Sequence, residues 1–167
     1  MTIVGPLYFW AWLNSLLIDQ TFQGKTIHAH YSSFDVSGVD YRIHVSGYSG
    51  NAGDSLRIDN GMAFSTIDSD KDLWVGDCSK TRGGGGWWYN GCSLANLNGR
   101  NFGKPTESYE GILWYFYAND KRSFKSSKMM LRKKWWKTFY LYTQCTVQPE
   151  RQWINADTQN VKNIFFI

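Results

Sequence analysis

Polar and apolar residues alternate along the stretch from Ile27 to Val45. The segments IHAHYSSFDVS, residues 27–37, and YRIHVSG, residues 41–47, both carry apolar or aromatic side chains separated by polar ones. In an extended strand, successive side chains point to opposite faces, so this pattern suits a sheet with one buried face. The alternation therefore predicts β-strands over this part of the chain.

Two later segments also have the hydrophobic pattern of strands. GILWYFYA, residues 111–118, is continuously apolar and aromatic, which is typical of a central strand. SFKSSKMMLR, residues 123–132, predicts a further strand. Before them, residues 46–56 are dense in Gly, Asn and Asp and predict a turn, and the pair Asn60-Gly61 is a strong hairpin signal.

The other segments have no regular period. Residues 68–110 hold eight glycines and predict long loops of the kind that carry function. The apolar leader, residues 1–21, lacks the basic start of a signal peptide and is too interrupted for a membrane span. A core segment or an artefact of gene prediction describes it better. We therefore divide the chain into this leader of unassigned status, a domain at 22–132, and a divergent basic and aromatic tail at 133–167.

Composition and charge narrow the class of protein. Aromatic residues make up 17% of the 167 residues, and 16 glycines with three prolines indicate a loop-rich domain rather than a helical bundle. The net charge is +4, and the segment 121–137 alone contains eight of the 18 Lys and Arg residues. No nucleic-acid-binding motif accompanies these cations, so we favour a solvated basic face and predict no nucleic-acid partner.

Three carboxylates stand at alternate positions in FSTIDSDKDLWVGDCSK, residues 64–80. Asp68, Asp70 and Asp72 would repel one another on one face of a strand, whereas in a loop they can converge on a cation. The segment lacks the glycine and glutamate that an EF-hand needs at its sixth and twelfth positions. An Asp-rich turn capped by its own backbone is the alternative, and on this stretch alone the two interpretations have equal weight.

The chain has three cysteines. Cys78 and Cys92 bracket a Gly-rich segment and predict one short disulfide loop, which leaves Cys145 unpaired. No C-x-x-C pair is present, so a zinc site is not predicted. A disulfide indicates an oxidising compartment.

Several motifs occur together in one order. YRIHVSGYSGNAGDSL, FSTIDSDKD, WWYNGC, ANLNGR and SFKSSKMMLR closely resemble the fibrinogen C-terminal domain family, which includes ficolins, tachylectins, angiopoietins and fibrinogen chains. The resemblance runs from about His30 to Arg132. It implies an α+β fold with an antiparallel sheet and long, Gly-rich calcium and ligand loops. The family's N-terminal subdomain has no counterpart in this sequence, so we expect a partial domain.

The resemblance implies a calcium site in the acidic loop. By position, the protein ligands of Ca²⁺ are the carboxylates of Asp70 and Asp72 and the backbone carbonyls of Trp74 and Gly76. Asp68 is then a supporting residue rather than a ligand. The family also has a disulfide beside this loop, which matches the cysteine pair predicted above.

In the lectin branch of the family, a pocket beside the second cysteine takes acetyl groups. The resemblance places this pocket at Gly91, Cys92 and Ser93, with Tyr109 as a candidate wall. It also implies a cis peptide bond between Gly91 and Cys92. Ser93 stands where the family often has His, so we expect a changed specificity.

The resemblance assigns structural roles to other conspicuous residues. The aromatic run WWY, residues 87–89, is expected in the core rather than as a sugar-stacking platform. Asn96 and Asn98 are expected to hold turns together, and Gly99 is expected to have a positive φ. The three histidines lack metal-ligand spacing and are expected to be packing or surface residues.

These observations predict a binding protein, since no catalytic motif is present. The main prediction is a secreted, calcium-dependent recognition module that binds acetylated carbohydrate in the manner of a lectin. One alternative is a module that binds an extracellular protein, as in angiopoietins and fibrinogens, and another is a truncated, non-functional fragment. No membrane span is expected, and an oligomer would form only through regions absent from this sequence.

Overall fold

The computed structural model describes residues 14–117, 119–133 and 154–157, and its main element is an antiparallel sheet. Five strands lie in the order β3-β2-β1-β6-β7, and a separate pair, β4 and β5, forms a small second sheet. The elements are β1 (Asn14–Phe22), β2 (Lys25–Ser37), β3 (Arg42–Gly50), α1 (Cys78–Thr81), β4 (Ala95–Asn96), β5 (Leu113–Trp114), β6 (Ser126–Lys133) and β7 (Ile154–Asp157). The predicted strands between Ile27 and Val45 correspond to β2 and β3.

Strand β1 is the middle strand of the sheet. Ile18 pairs with Ala29 of β2 on one side and with Met129 of β6 on the other. Gln23 and Gly24, both at positive φ, join β1 to β2 in the tight turn that suits the twist of a two-strand hairpin. Most of β1 falls in the segment that the sequence assigned to an apolar leader. Residues 14–21 are thus part of a core strand, which is one of the two interpretations of the leader. The domain boundary placed at residue 22 falls inside this strand.

The prediction of a central strand at 111–118 is wrong. Among the described residues of this segment only Leu113 and Trp114 form a strand, and they pair with Ala95–Asn96. The next backbone N–H groups go elsewhere: Tyr115 donates to Leu94 at 2.9 Å and Phe116 to the Ser55 hydroxyl at 3.0 Å. The segment is apolar because it fills the space between loops, and not because it crosses a sheet.

Two turn predictions also change. Strand β3 continues to Gly50, so the turn predicted at 46–56 begins only at residue 51. Gly61 has φ +82 and lies in a turn, but no strands flank it. Its N–H donates to the Ile43 carbonyl at 2.7 Å, and the Ile43 N–H donates to Met62 at 3.1 Å. The Asn60-Gly61 turn therefore covers the edge of β3 instead of closing a hairpin.

The aromatic run at 87–89 lies in the core, as predicted. Trp87, Trp88 and Tyr89 are almost completely buried, and each polar atom has a partner. The indole of Trp88 donates to the Tyr41 carbonyl at 2.7 Å, and the Tyr89 hydroxyl donates to Gly85 at 2.8 Å. The Trp88 bond connects the loop that follows α1 to the turn between β2 and β3, and the Tyr89 bond lies within that loop.

The asparagine prediction is confirmed and the Gly99 prediction is wrong. Asn96 donates to the Arg82 carbonyl and Asn98 to the Gly86 carbonyl, each at 2.8 Å. Gly99 does not have a positive φ. A Cβ there would lie 2.0 Å from the Gly111 carbonyl oxygen, so close backbone approach is what requires glycine.

Candidate functional site

The disulfide between Cys78 and Cys92 is present, as predicted. The two Cα atoms lie 5.2 Å apart, and the bond closes a sequence separation of 14 residues. Asp77 caps the single turn α1 that begins at Cys78, because its carboxylate accepts the Lys80 N–H at 3.0 Å. The disulfide therefore fixes the end of the acidic loop at Cys78. Cys145 lies outside the described residues.

The acidic loop begins with a tight turn. Thr66 and Ser69 exchange backbone hydrogen bonds, and the Thr66 hydroxyl donates to the Asp68 carboxylate at 2.5 Å. This bond is the main cause that lowers the pKa of Asp68. Lys71, between the second and third carboxylates of the loop, is held by an ion pair: its ammonium contacts the Asp40 carboxylate at 2.7 Å. Asp68 thus belongs to the turn that carries the two following carboxylates.

Asp72 is the best-connected carboxylate of the loop. Its two oxygens accept the N–H of Trp74 at 2.8 Å and the N–H of Cys78 at 2.9 Å, and its own N–H donates to Asp70 at 3.1 Å. Burial is the main cause that raises the pKa of Asp72, the two N–H bonds lower it, and the charge of Asp70 raises it further. The two carboxylates are therefore close enough to repel each other.

The carboxylate oxygens of Asp70 and Asp72 are of the ligand type that a hard cation prefers. Each carboxylate oxygen keeps a lone pair after accepting one hydrogen bond, and a divalent cation would remove the repulsion between Asp70 and Asp72. The backbone turns at residues 74–76, where the indole of Trp74 lies against Gly76: a Cβ on Gly76 would lie 2.7 Å from the ring. The residues predicted as ligands thus belong to one short loop. No cluster of three or more His, Cys, Asp or Glu side chains occurs within the described part of the chain.

The same loop presents apolar side chains to solvent. Leu73 is 69% exposed, Trp74 is 44% exposed and Val75 is fully exposed. The Leu73 N–H donates to the Asn90 carbonyl at 2.8 Å, so the loop backbone is held against the residues that precede Cys92. Apolar side chains are therefore displayed on a fixed backbone.

The predicted pocket residues have different environments. Gly91 is exposed and Cys92 is half-buried, whereas Ser93 is buried. The predicted cis bond between Gly91 and Cys92 is absent, and the described residues contain only trans peptides. Cys92, the residue after this peptide bond, has φ +68 and is therefore in the left-handed region. The Ser93 hydroxyl points inward and donates to the Asp59 carboxylate at 2.5 Å.

Asp59 is a fully buried carboxyl group that the sequence did not reveal. Its Oδ2 accepts from Ser93 and from the Trp87 indole at 3.2 Å, while Oδ1 has no hydrogen-bond partner. Burial raises the pKa of Asp59 to about 8, despite the two hydrogen bonds that lower it. In the sequence this residue is hidden, because it precedes Asn60-Gly61 and has the appearance of an ordinary turn residue.

Tyr109, the candidate wall of the predicted pocket, lies beside a cation. The guanidinium carbon of Arg82 is 4.4 Å from the centre of the Tyr109 ring, and Lys121 approaches the ring at 5.6 Å. Tyr109 itself is 44% exposed. The sequence gave no sign of this contact, because Arg82 and Tyr109 are 27 positions apart in chain segments without a regular period.

Together these features define a class of domain: an antiparallel sheet that carries a disulfide-anchored acidic loop. The family of the fibrinogen beta and gamma chains, C-terminal globular domain, matches residues 13–134. The chain therefore belongs to this family, as the sequence motifs predicted. The match begins one residue before β1 and ends one residue after β6.

Relatives and solved structures agree with this assignment. Human angiopoietin-4 is 38% identical over 119 residues, which are 68% of this chain and 23% of that protein. The fibrinogen beta chain of Petromyzon marinus is 36% identical over 152 residues, which are 73% of this chain and 32% of that protein. The fibrinogen-like globe domain of human ANGPTL6 superposes with a TM-score of 0.67 at 31% identity, over 71% of this chain and 56% of that one. This chain thus spans less than a third of the length of these two relatives.

Proposed function

We propose that this domain is an extracellular, calcium-dependent module that binds a protein partner through the loop 67–76. The observation that carries the proposal is the run of exposed apolar side chains at Leu73, Trp74 and Val75, on a backbone fixed by the disulfide. Among the relatives are angiopoietins and fibrinogen chains, which favours a protein partner over the acetylated carbohydrate predicted first from the sequence.

The chemistry of the loop supports this choice. Contiguous exposed apolar residues are uncommon on monomeric domains and mark interaction surfaces. Trp is enriched among the residues that contribute most to protein binding, since it offers a large area at a small entropic cost. Ile67 is also exposed in the same loop. A fixed backbone reduces the ordering cost that a flexible apolar loop would incur on binding.

Calcium has a structural role in this proposal. Asp70 and Asp72, with the carbonyls of Trp74 and Gly76, would hold one Ca²⁺, and the ion would supply the positive charge that keeps the two carboxylates together. Few protein ligands in an extracellular module correspond to a weak site, on the order of 10⁻⁴ to 10⁻³ M. Such a site is filled at the calcium levels outside cells, which agrees with the presence of a disulfide.

Binding rather than catalysis is proposed. The hydroxyl and carboxylate pair of Ser93 and Asp59 is buried on all sides, so a substrate has no access to it.

In the part of the chain that the structure describes, no helix is long and apolar enough to cross a membrane.

A binding screen with matched variants tests the proposal. The wild-type domain, in calcium and in EDTA, would be applied to an array of purified extracellular protein ectodomains and to an array of glycans. Val75→Asp adds a charge at a fully exposed position and is expected to abolish protein binding without a change in thermal stability. Asn101→Asp adds the same charge at another exposed position and preserves the side-chain acceptor for the Gly103 N–H, so it serves as the control.

The outcomes separate the candidates. Calcium-dependent protein hits that Val75→Asp removes and Asn101→Asp keeps would support the proposal. Hits confined to acetylated glycans, unaffected by Val75→Asp, would replace it with the lectin prediction around Gly91, Cys92 and Ser93. A chain without a cooperative thermal transition would indicate the non-functional fragment.

A further inference from the structure

Two cationic side chains, Arg82 and Lys121, lie at the ring of Tyr109. Lys121 pairs with Glu107 at 2.8 Å. Arg82 contacts the ring, but no carboxylate lies within ion-pair distance of it among the described residues. The neighbouring Arg100, by contrast, approaches Glu110 at 3.5 Å. One guanidinium is therefore left without a counter-charge next to an exposed aromatic ring.

Arg82 lacks a carboxylate partner in a place where water can compensate its charge only in part. Arg82 is half-buried, and its Nη1 is a buried donor that has no hydrogen-bond partner. Burial removes part of the water around the cation and so lowers the pKa of Arg82. Arg57 gives the contrast: it stacks on Phe116 at 4.3 Å but is exposed, so water can solvate it. Because Nη1 is buried, a ligand cannot reach it, but Nε and Nη2 are not among the buried atoms without partners. A carboxylate that accepts from Nε and Nη2 would supply the counter-charge that this half-buried cation lacks.

The backbone of Arg82 is held in place before any ligand binds. Its N–H donates to the Cys78 carbonyl at 2.9 Å and ends the turn α1. Its carbonyl accepts from the Asn96 side chain at 2.8 Å. Cys78 is joined to Cys92, so the residue that carries the guanidinium is anchored to the disulfide. A side chain on a fixed backbone with a stacked guanidinium loses little freedom on binding.

We propose that Arg82 and Tyr109 form a subsite for the carboxylate of an Asp or Glu side chain on the protein partner. The planar guanidinium matches a carboxylate with two parallel hydrogen bonds, and the Tyr109 ring holds the guanidinium plane in position. Lys121 also approaches this ring, but Glu107 compensates its charge, so Arg82 supplies the cation of the subsite. The inference rests on the proposed function in one respect only, that the ligand belongs to a protein.

The experiment uses small probes, so it does not depend on finding the partner. The whole chain, labelled with ¹⁵N, would be titrated with N-acetyl-L-glutamate amide and, in parallel, with N-acetyl-L-glutamine amide, which is an uncharged analogue of similar shape. The readout is the side-chain Nε–H signal of Arg82, assigned by its loss in Arg82→Gln. Arg57→Gln is the matched control, because it removes the same charge from another stacked arginine.

We expect a saturable shift with the glutamate probe and none with the glutamine probe. Arg82→Lys keeps the charge but not the planar fork, and should weaken binding about tenfold. In this variant the shift is followed on the backbone N–H signal of Tyr109, because lysine has no guanidinium Nε–H. Arg57→Gln should bind as the wild type does. Equal shifts with both probes in the wild-type protein, which needs no variant to fold, would overturn the proposal. A response to the methyl glycoside of N-acetylneuraminic acid, without one to glutamate, would also overturn it in favour of an acidic glycan.

Discussion

The carboxylate of Asp72 accepts the backbone N–H of Cys78 at 2.9 Å, and so connects the acidic loop directly to the disulfide. The same carboxylate also accepts the N–H of Trp74. Asp72 therefore has a structural role that does not need a cation, while Asp70 contributes only one bond, from the Asp72 N–H. The two predicted calcium ligands should respond differently to mutation.

Asp70→Ala is expected to remove the stabilisation that calcium provides and to change the melting temperature in EDTA only slightly. Asp72→Ala is expected to remove it too, and also to destabilise the calcium-free protein by about 1–3 kcal/mol, because two backbone donors lose their acceptor. Thermal melts of each variant in calcium and in EDTA measure both effects.

Asp68→Ala is the control for this pair. Asp68 is bonded to Thr66 rather than directed toward the other two carboxylates, so its loss should leave the calcium response in place. Calorimetric titration that found calcium binding retained in Asp70→Ala and lost in Asp68→Ala would show that the ligand assignment is shifted by one carboxylate.

The disulfide should contribute strongly to stability. Replacement of Cys78 and Cys92 by Ser together is expected to destabilise the domain by roughly 3 kcal/mol, since the bond closes a loop of about 15 residues in the unfolded chain. Urea denaturation of the double variant measures this loss. The assignment of Cys145 as a free thiol is checked by non-reducing peptide mapping, and a peptide that links Cys145 to either partner would contradict it.

Asp59 should make stability depend on pH. Because the pKa of Asp59 is about 8 in the folded protein and roughly 4 for an Asp in an unfolded chain, the folded state binds this proton more tightly. Its contribution to stability is complete below about pH 4 and declines as the pH rises toward about 8. Asp59→Asn, which cannot ionise, should flatten this decline. Urea denaturation at several pH values checks it.

The exposed Asp35 on β2 provides the comparison for Asp59. Asp35→Asn should leave the pH dependence of stability as it is in the wild type. If Asp59→Asn kept the full decline between about pH 4 and about pH 8, a different group would be responsible for it, and the buried carboxyl would not be the cause.

Two glycines should differ in their tolerance of alanine. A Cβ on Gly99 would lie 2.0 Å from the Gly111 carbonyl oxygen, so Gly99→Ala must push two backbone segments apart. Gly103 has φ +68 but nothing within 4 Å of its Cβ position, so Gly103→Ala costs only backbone strain, about 1–2 kcal/mol. Gly99→Ala should therefore lower the melting temperature further than Gly103→Ala. Equal melting temperatures would contradict the close approach.

The sequence by itself determined the features that depend on local pattern or on spacing. Alternation predicted strands β2 and β3, because one face of each is buried and the other is solvated. The spacing around the Gly-rich segment predicted the bond between Cys78 and Cys92. The motifs, taken in order, predicted the family, since several of them in register specify one chain path.

Only the tertiary structure decided where apolar and charged residues meet across distant segments. Asn14–Phe22 is a central strand because β2 and β6 supply hydrogen-bond partners on both sides, and no local pattern contains that information. Residues 111–118 have the composition of such a strand, yet only Leu113 and Trp114 among the described ones pair with another strand, and Tyr115 and Phe116 donate to loop residues. The buried carboxyl of Asp59 and the contact of Arg82 with Tyr109 depend in the same way on chain segments that are remote in sequence. Burial raises the pKa of Asp59, and spatial contact stabilises the pair of Arg82 and Tyr109. The order of residues alone specifies neither.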